Sequence, residues 1–208
     1  MQIVKNVQPV QNVLEIFHYN SYVIIKIVRT YKEITMSKKA LIIVDMLNDF
    51  IDKNGALYCS DTARLIIPFI QERLEAFRNN KDLVIYLQDS HDKNDKEFQR
   101  FPSHCVSGTR SNEIIHELTP KSGEKVIPKK RYSGFYGTNL EKILQDENIE
   151  EVEVVGVCTS ICVMDTVGGL ANRDYNVSVP VKGVADFDQQ MHEFSLRRMK
   201  QLYGARVS

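Results

Sequence analysis

Ala-Leu-Ile-Ile-Val-Asp, residues 40–45, is an unbroken apolar run closed by a carboxylate. A strand with one wet face alternates apolar and polar residues. A run without alternation is buried on both faces, as the strands of a parallel sheet are. The same reading recurs along the chain. Residues 83–87 form a second apolar run and also end in polar groups, Gln88 and Asp89. Further strands are expected at 125–128, 152–157 and 177–181. Helical spacing fills the intervals. Ile66, Ile67, Phe69, Ile70, Leu74 and Phe77 mark one helix, with Pro68 in its first turn, where a missing N–H costs nothing. Shorter helices are expected over 111–118 and from a Thr138-Asn139 cap to Gln145. Longer ones are expected over 161–173 and 187–203, the last stopped by Gly204. Strand and helix alternate, which predicts a three-layer α/β/α sandwich around a mainly parallel central sheet.

The 208 residues are enough for one domain with a sizeable core. The 27 basic and 27 acidic residues cancel, so the chain lacks the basic surplus that binds nucleic acid or an anionic membrane. No apolar run approaches the roughly 18 residues of a membrane-spanning helix. The cysteines, Cys59, Cys105, Cys158 and Cys162, form no Cys-x-x-Cys pair, which fits reduced thiols and a cytoplasmic setting. Residues 1–35 stand apart. They show no clear periodicity beyond a short run at 22–28, and they lack the apolar core and cleavage site of a signal peptide. Met36 then opens directly into the first strand. Residues 1–35 are expected to be an N-terminal extension, weakly ordered or not part of the domain, and 36–208 the domain. An extra strand or helix packed on the domain is the alternative.

In open α/β sheets, ligands bind beyond the carboxyl ends of the strands. Asp45, Asp89, Lys129 and Cys162 each fall at or just past such an end. Cys162 opens the expected helix after the 152–157 strand, where free N–H groups and the helix dipole favour thiolate over thiol. A small buried apolar residue would look the same, so its company decides. A carboxylate can take a thiol proton and hand one to a leaving amine, and an ammonium beside the pair favours the thiolate. Asp45 and Lys129 supply these groups, although Lys130 and Arg131 adjoin Lys129 and spacing alone does not choose among them. Asp89-Ser90-His91 begins a second set, with Glu97 and His104 in the long polar loop that follows. Asp-x-His puts both side chains on the same side of an extended segment. Imidazole with carboxylate suits zinc, manganese or iron and leaves positions for water or substrate. Two solvated loop histidines are the plainer reading. His18, His116 and His192 read as surface or helix-face residues.

Five blocks carry a resemblance: Ala-Leu-Ile-Ile-Val-Asp-Met-Leu-Asn-Asp-Phe (40–50), Asp-Ser-His (89–91), Glu-Phe-Gln-Arg-Phe-Pro-Ser-His-Cys-Val-Ser-Gly-Thr (97–109), Lys-Lys-Arg-Tyr-Ser-Gly-Phe-Tyr-Gly-Thr-Asn-Leu (129–140) and Gly-Val-Cys-Thr-Ser-Ile-Cys-Val (156–163). In this order the chain resembles the isochorismatase-like cysteine hydrolases and, within them, the nicotinamidases. The resemblance implies catalytic roles for Asp45, Lys129 and Cys162, and metal ligation by Asp89, His91 and His104 with Glu97 near the metal. It implies a divalent ion, zinc first and manganese or iron as alternatives. It also implies a non-proline cis peptide at Val157–Cys158, with the Cys158 and Cys162 N–H groups forming an oxyanion hole. The implied activity is hydrolysis of a small carboxamide, nicotinamide foremost, in pyridine nucleotide salvage, by a homo-oligomer. Another small amide or carbamoyl compound, or an idle metabolite-binding role, are the alternatives. Phe50 is expected to pack on the substrate ring. Two departures stand out. Thr159-Ser160 replaces the family's frequent Thr-Asp, which predicts altered charge or bracing at the nucleophile loop, and Gly134 replaces the more usual Ala.

Overall fold

The computed structural model describes residues 38–208, so the expectation for residues 1–35 lies outside the described residues. The strands are β1 (Lys39–Val44), β2 (Leu83–Asp89), β3 (Lys125–Lys129), β4 (Glu151–Val157), β5 (Asn176–Val179), β6 (Val184–Ala185) and β7 (Arg206–Val207). They form one sheet in the order β3-β2-β1-β4-β5-β7, with β6 also paired to β4, and all pairings are parallel. The apolar runs read from the sequence are its central strands.

Alternate residues of β1 enter two separate cores, which is what a strand covered on both sides requires. Leu41 and Ile43 pack with Ile67, Ile70, Leu74 and Phe77 of α3 (Ile67–Asn80). The short α1 (Asn48–Ile51) and α2 (Asp61–Leu65) lie on this side as well, through Phe50, Ile51 and Ala63. Ala40, Ile42 and Val44 pack with Leu140 and Leu144 of α4 (Leu140–Asp146), Val167 and Leu170 of α5 (Met164–Ala171), and Met199 of α6 (Gln189–Leu202). The three layers are therefore as expected. None of the helices among the described residues is long and apolar enough to cross a membrane.

Several element expectations need correction. The 111–118 segment is not an α-helix but two 3-10 turns, Arg110–Asn112 and His116–Leu118, because Ile114 between them bridges to Leu47. The helix expected from 161 begins instead as a π-helical turn, Thr159–Val163, and becomes α5 only at Met164. The strand expected at 177–181 stops at Val179, and the chain passes through the turn Val181–Gly183 before β6. The Thr138-Asn139 cap of α4 is as expected: Asn139 is the N-cap residue, and Thr138 supplies the side chain, its Oγ1 accepting the Leu140 N–H at 3.2 Å and donating to the Gly134 carbonyl.

Sheet order positions the site. Connections run outward from β1 to β2 and β3, then return across β1 to β4. The cleft where direction reverses is the expected ligand position of an open α/β sheet. Gly156 lets β4 and β1 converge there. It has φ 117°, and a Cβ on it would lie 2.1 Å from the Val44 carbonyl oxygen, so no other residue fits.

Candidate active site

Four neighbouring strand ends deliver four polar side chains. Asp45 follows β1 directly, Asp89 ends β2, Lys129 ends β3, and Cys162 lies in the turn after β4. Asp45 has φ 50°, in the left-handed region, so the chain turns sharply as it leaves the strand. Its Oδ1 accepts the Asp89 N–H at 2.9 Å, tying the ends of β1 and β2 together. Lys129, whose side chain is 0% exposed, sits at the centre. Its Nζ lies 2.8 Å from Asp45 Oδ2 and donates to Asp89 Oδ1 at 3.1 Å and to Cys162 Sγ at 3.5 Å. Lys130 instead pairs with Asp92, and Arg131 with Asp95. Geometry thus chooses among three adjacent cations that spacing could not separate.

The charge states follow from burial and neighbours. Burial pushes the Asp45 carboxyl up to about 6; Lys129 opposes the shift and Asp89 adds to it. Burial would neutralise Lys129, but Asp45, Cys162 and Asp89 hold its ammonium well above the ordinary value. Burial would likewise raise Asp89, yet Lys129, His104 and His91 outweigh it and hold the carboxyl far below the usual range. The Cys162 thiol is pushed well above its ordinary value, by burial first and by Asp45 and Asp89 as well, against the pull of Lys129. Burial and the two carboxylates thus act against the helix-start and Lys129 effects that favour the thiolate. Cys162 is only 7% exposed, and one ammonium does not offset lost hydration plus two nearby carboxylates. At neutral pH the resting state is therefore a thiol beside an ionised Asp45. Asp45 Oδ2 has no hydrogen-bond partner of good geometry, which leaves it free to accept a proton.

On the far side of Asp89 lie the two histidines. The ligand atoms of Asp89, His91 and His104 fall within 4.8 Å of one another, and all three residues are buried. His91 Nε2 lies 3.0 Å and His104 Nε2 3.4 Å from Asp89 Oδ2. His104 Nδ1 is 2.8 Å from the Pro102 carbonyl, which can only accept, so that nitrogen carries the proton and Nε2 presents a lone pair to the carboxylate. His91 Nδ1 lies 3.2 Å from Asp95 Oδ2, near enough for an ion pair but without a well-aligned hydrogen bond. Acceptors aimed at an acceptor, each backed by a second partner, fit a divalent cation between them. Burial would lower both imidazoles, but the Asp89 carboxylate outweighs it and raises them above the ordinary value. Glu97 is also buried, with Oε2 lacking a hydrogen-bond partner, and it belongs to a second close group with His91 and Asp95.

Both sets open into one cavity of about 400 Å³. Asp45, Asp89, His104 and Cys162 line it, and Phe50, Tyr132 and Phe187 give it flat apolar walls. The Phe50 ring is 5.9 Å from that of His104. The peptide Val157–Cys158 is cis, as the resemblance implied. Sequence reasoning missed several supports. Asp95 backs His91, and the Asn112 amide donates to the Asp89 carbonyl at 2.6 Å. Asp49 Oδ2 accepts the Cys105 N–H at 2.7 Å, holding the loop next to His104. Asp186 accepts the Ser160 N–H at 2.6 Å. His192, read as a helix-face residue, meets Thr159 Oγ1 at 2.9 Å. Nothing in their local sequence marks them; each works through a partner distant along the chain, Asp95 excepted.

Comparison with known proteins shows the family. The isochorismatase domain matches residues 39–208. The isochorismatase family protein PncA of Bacillus subtilis (strain 168) is 35% identical over 181 residues, covering 82% of this chain and 99% of the relative. The crystal structure of nicotinamidase PncA from Bacillus subtilis superposes with a TM-score of 0.78 at 37% identity, covering 82% of this chain and 99% of that one. A pyrazinamidase of Pyrococcus horikoshii in complex with zinc gives a TM-score of 0.77 at 29% identity, covering 82% and 98%. The chain belongs to the isochorismatase family of hydrolases.

Proposed function

We propose that this protein hydrolyses a small planar carboxamide, nicotinamide foremost, to the acid and ammonia through a thioester on Cys162. The observation that carries this reading is the buried ammonium of Lys129 in contact with Asp45, Asp89 and Cys162, three residues that line an aromatic-walled cavity. The nicotinamidase likeness of the Bacillus subtilis structure supports the choice of substrate.

Asp45 takes the thiol proton as Sγ attacks the carboxamide carbon. Lys129 offsets the negative charge that then moves between the two. The carbonyl oxygen gains charge in the tetrahedral state. The Ser160 N–H is already committed to Asp186, and those of Ile161 and Val163 to the Cys158 carbonyl. The resemblance implies that the N–H groups of Cys158 and Cys162 hold the oxyanion. Protonated Asp45 gives its proton to the nitrogen, the C–N bond breaks and ammonia leaves. Water then yields a proton to Asp45 and attacks the thioester; the C–S bond breaks, and Asp45 returns the proton to sulfur. Asp89, His91 and His104 would hold a divalent ion, zinc by the chemistry of the donors and the Pyrococcus horikoshii likeness, with Glu97 beside it. When bound, such an ion supplies a Lewis-acid site that binds and orients the substrate. A cytoplasmic role in nicotinamide salvage and a homo-oligomeric state belong to the same proposal.

The test is ammonia release from nicotinamide by the wild type and by Cys162→Ala, each with zinc and with chelator. Wild-type release that disappears in the variant supports the reading. Release that persists in the variant removes Cys162 as nucleophile. Wild-type silence on nicotinamide with turnover of a carbamoyl amine moves the substrate, and silence on every carboxamide with tight ligand binding makes the chain a binding protein.

A further inference from the structure

The sequence left the nucleophile loop without the acidic residue that often precedes the Ile-Cys pair. The structure supplies a carboxylate from another element. The two-residue strand β6 pairs Val184 with Gly156 and Ala185 with Val157. That register delivers the next residue, Asp186, beside Cys158 and the head of the turn. Asp186 is buried. Its Oδ2 accepts the Ser160 N–H at 2.6 Å, its Oδ1 accepts the Asp188 N–H at 3.2 Å, and its carbonyl accepts the Ser60 hydroxyl at 3.2 Å. One turn further on, His192 of α6 meets the Thr159 hydroxyl. The π-helical turn is thus held at two successive residues by the segment that opens α6. Phe187, next to Asp186, lines the cavity.

We propose that Asp186 is the positioning residue of the nucleophile turn, setting Cys162 against Lys129 through its hydrogen bond to the Ser160 N–H. A π-turn has a bond pattern that competes with the ordinary α-helical one, and such turns are frequent at functional sites. A carboxylate on a backbone N–H is a charge-assisted bond, stronger than its neutral counterpart. It fixes the turn without touching substrate. The neighbouring Asp188 serves as a control: its side chain caps α6 through the Gln190 and Met191 N–H groups and does not reach the turn.

The proposal rests on Cys162 as nucleophile, so the experiment reads both turnover and the sulfur itself. Asp186→Ala, Asp186→Asn and Asp188→Ala are assayed for kcat and KM on nicotinamide, for thermal unfolding, and for the rate of iodoacetamide labelling at Cys162, read by peptide mass spectrometry. Displacing a reacting group by about 1 Å costs on the order of 100-fold, so Asp186→Ala should lose about that factor in kcat with KM little changed. Its Cys162 should also label more slowly. Asp186→Asn keeps an acceptor oxygen and should recover most of both. Asp188→Ala should lower the unfolding temperature yet keep kcat. An Asp186→Ala protein with wild-type kcat and an unchanged or faster labelling rate overturns the proposal. So does an Asp188→Ala protein that loses as much kcat as Asp186→Ala, which would make the effect one of general stability. Should the wild type turn over no carboxamide, the labelling arm alone decides.

Discussion

At Lys129 one ammonium faces three acceptors, Asp45, Asp89 and Cys162, all buried, and every charge has an opposite charge from the chain beside it. On the other side of the same Asp89 carboxylate, two imidazoles aim their Nε2 atoms at Oδ2, and acceptor faces acceptor. The first region is complete as folded. The second is complete only with a cation or protons between its groups. They differ in footing as well. Asp45, Asp89 and Lys129 stand on the ends of three adjacent strands, whereas His104 comes from a loop braced by Asp49 and the Pro102 carbonyl.

The contrast can be broken from either side. The largest effect expected is from Cys162→Ala, which should lower ammonia release by about 10⁴-fold or more while leaving zinc content unchanged, as checked by turnover and metal analysis. Lys129→Met should also abolish turnover. It leaves Asp45 and Asp89 as buried carboxylates without their cation, so a urea titration should show a loss of about 3–5 kcal/mol. His104→Ala attacks the other region: bound zinc should be lost from the purified protein and turnover should fall steeply, yet the urea midpoint should move much less than in Lys129→Met. Asp95→Asn removes only the group behind His91, and zinc affinity in a chelator competition should weaken by about 10–100-fold with Cys162 labelling unaltered.

The smallest effect sharpens the comparison through pH. The Asp45 carboxyl titrates near 6 rather than at its ordinary 3.8, so the base form is lost as pH falls through 6. kcat should drop about tenfold for each unit below that value. Stability moves the other way. A carboxyl whose folded pKa is raised contributes most to stability below its unfolded pKa, and that contribution is lost as pH rises through the folded value. Asp45→Asn should remove the stability trend, as followed by pH-dependent denaturation.

Much of the fold was legible because strands buried on both faces must be apolar throughout. Residues 40–44 and 154–157 could therefore be recognised one strand at a time. The π-turn at Thr159–Val163 was not legible, since its bond pattern depends on groups that hold it from α6 and β6. Nor was the two-residue β6, too short to carry a pattern. In the site, Asp45, Asp89 and Cys162 could be picked out as strand-end residues. Lys129 could not be separated from Lys130 and Arg131 by spacing, because adjacent residues of an extended chain differ only in the side to which they point.

The amino-acid sequence by itself determined the layered α/β architecture, the strand ends that carry chemistry and the family to which they belong, because these follow from periodicity and local motif. Only the tertiary structure decided which cation meets the thiol, that the sulfur rests as a thiol, and that Asp95 and Asp186 serve the site. Those outcomes depend on burial and on distances between groups far apart along the chain, such as Ser160 and Asp186, and desolvation acts only once the chain has closed around them.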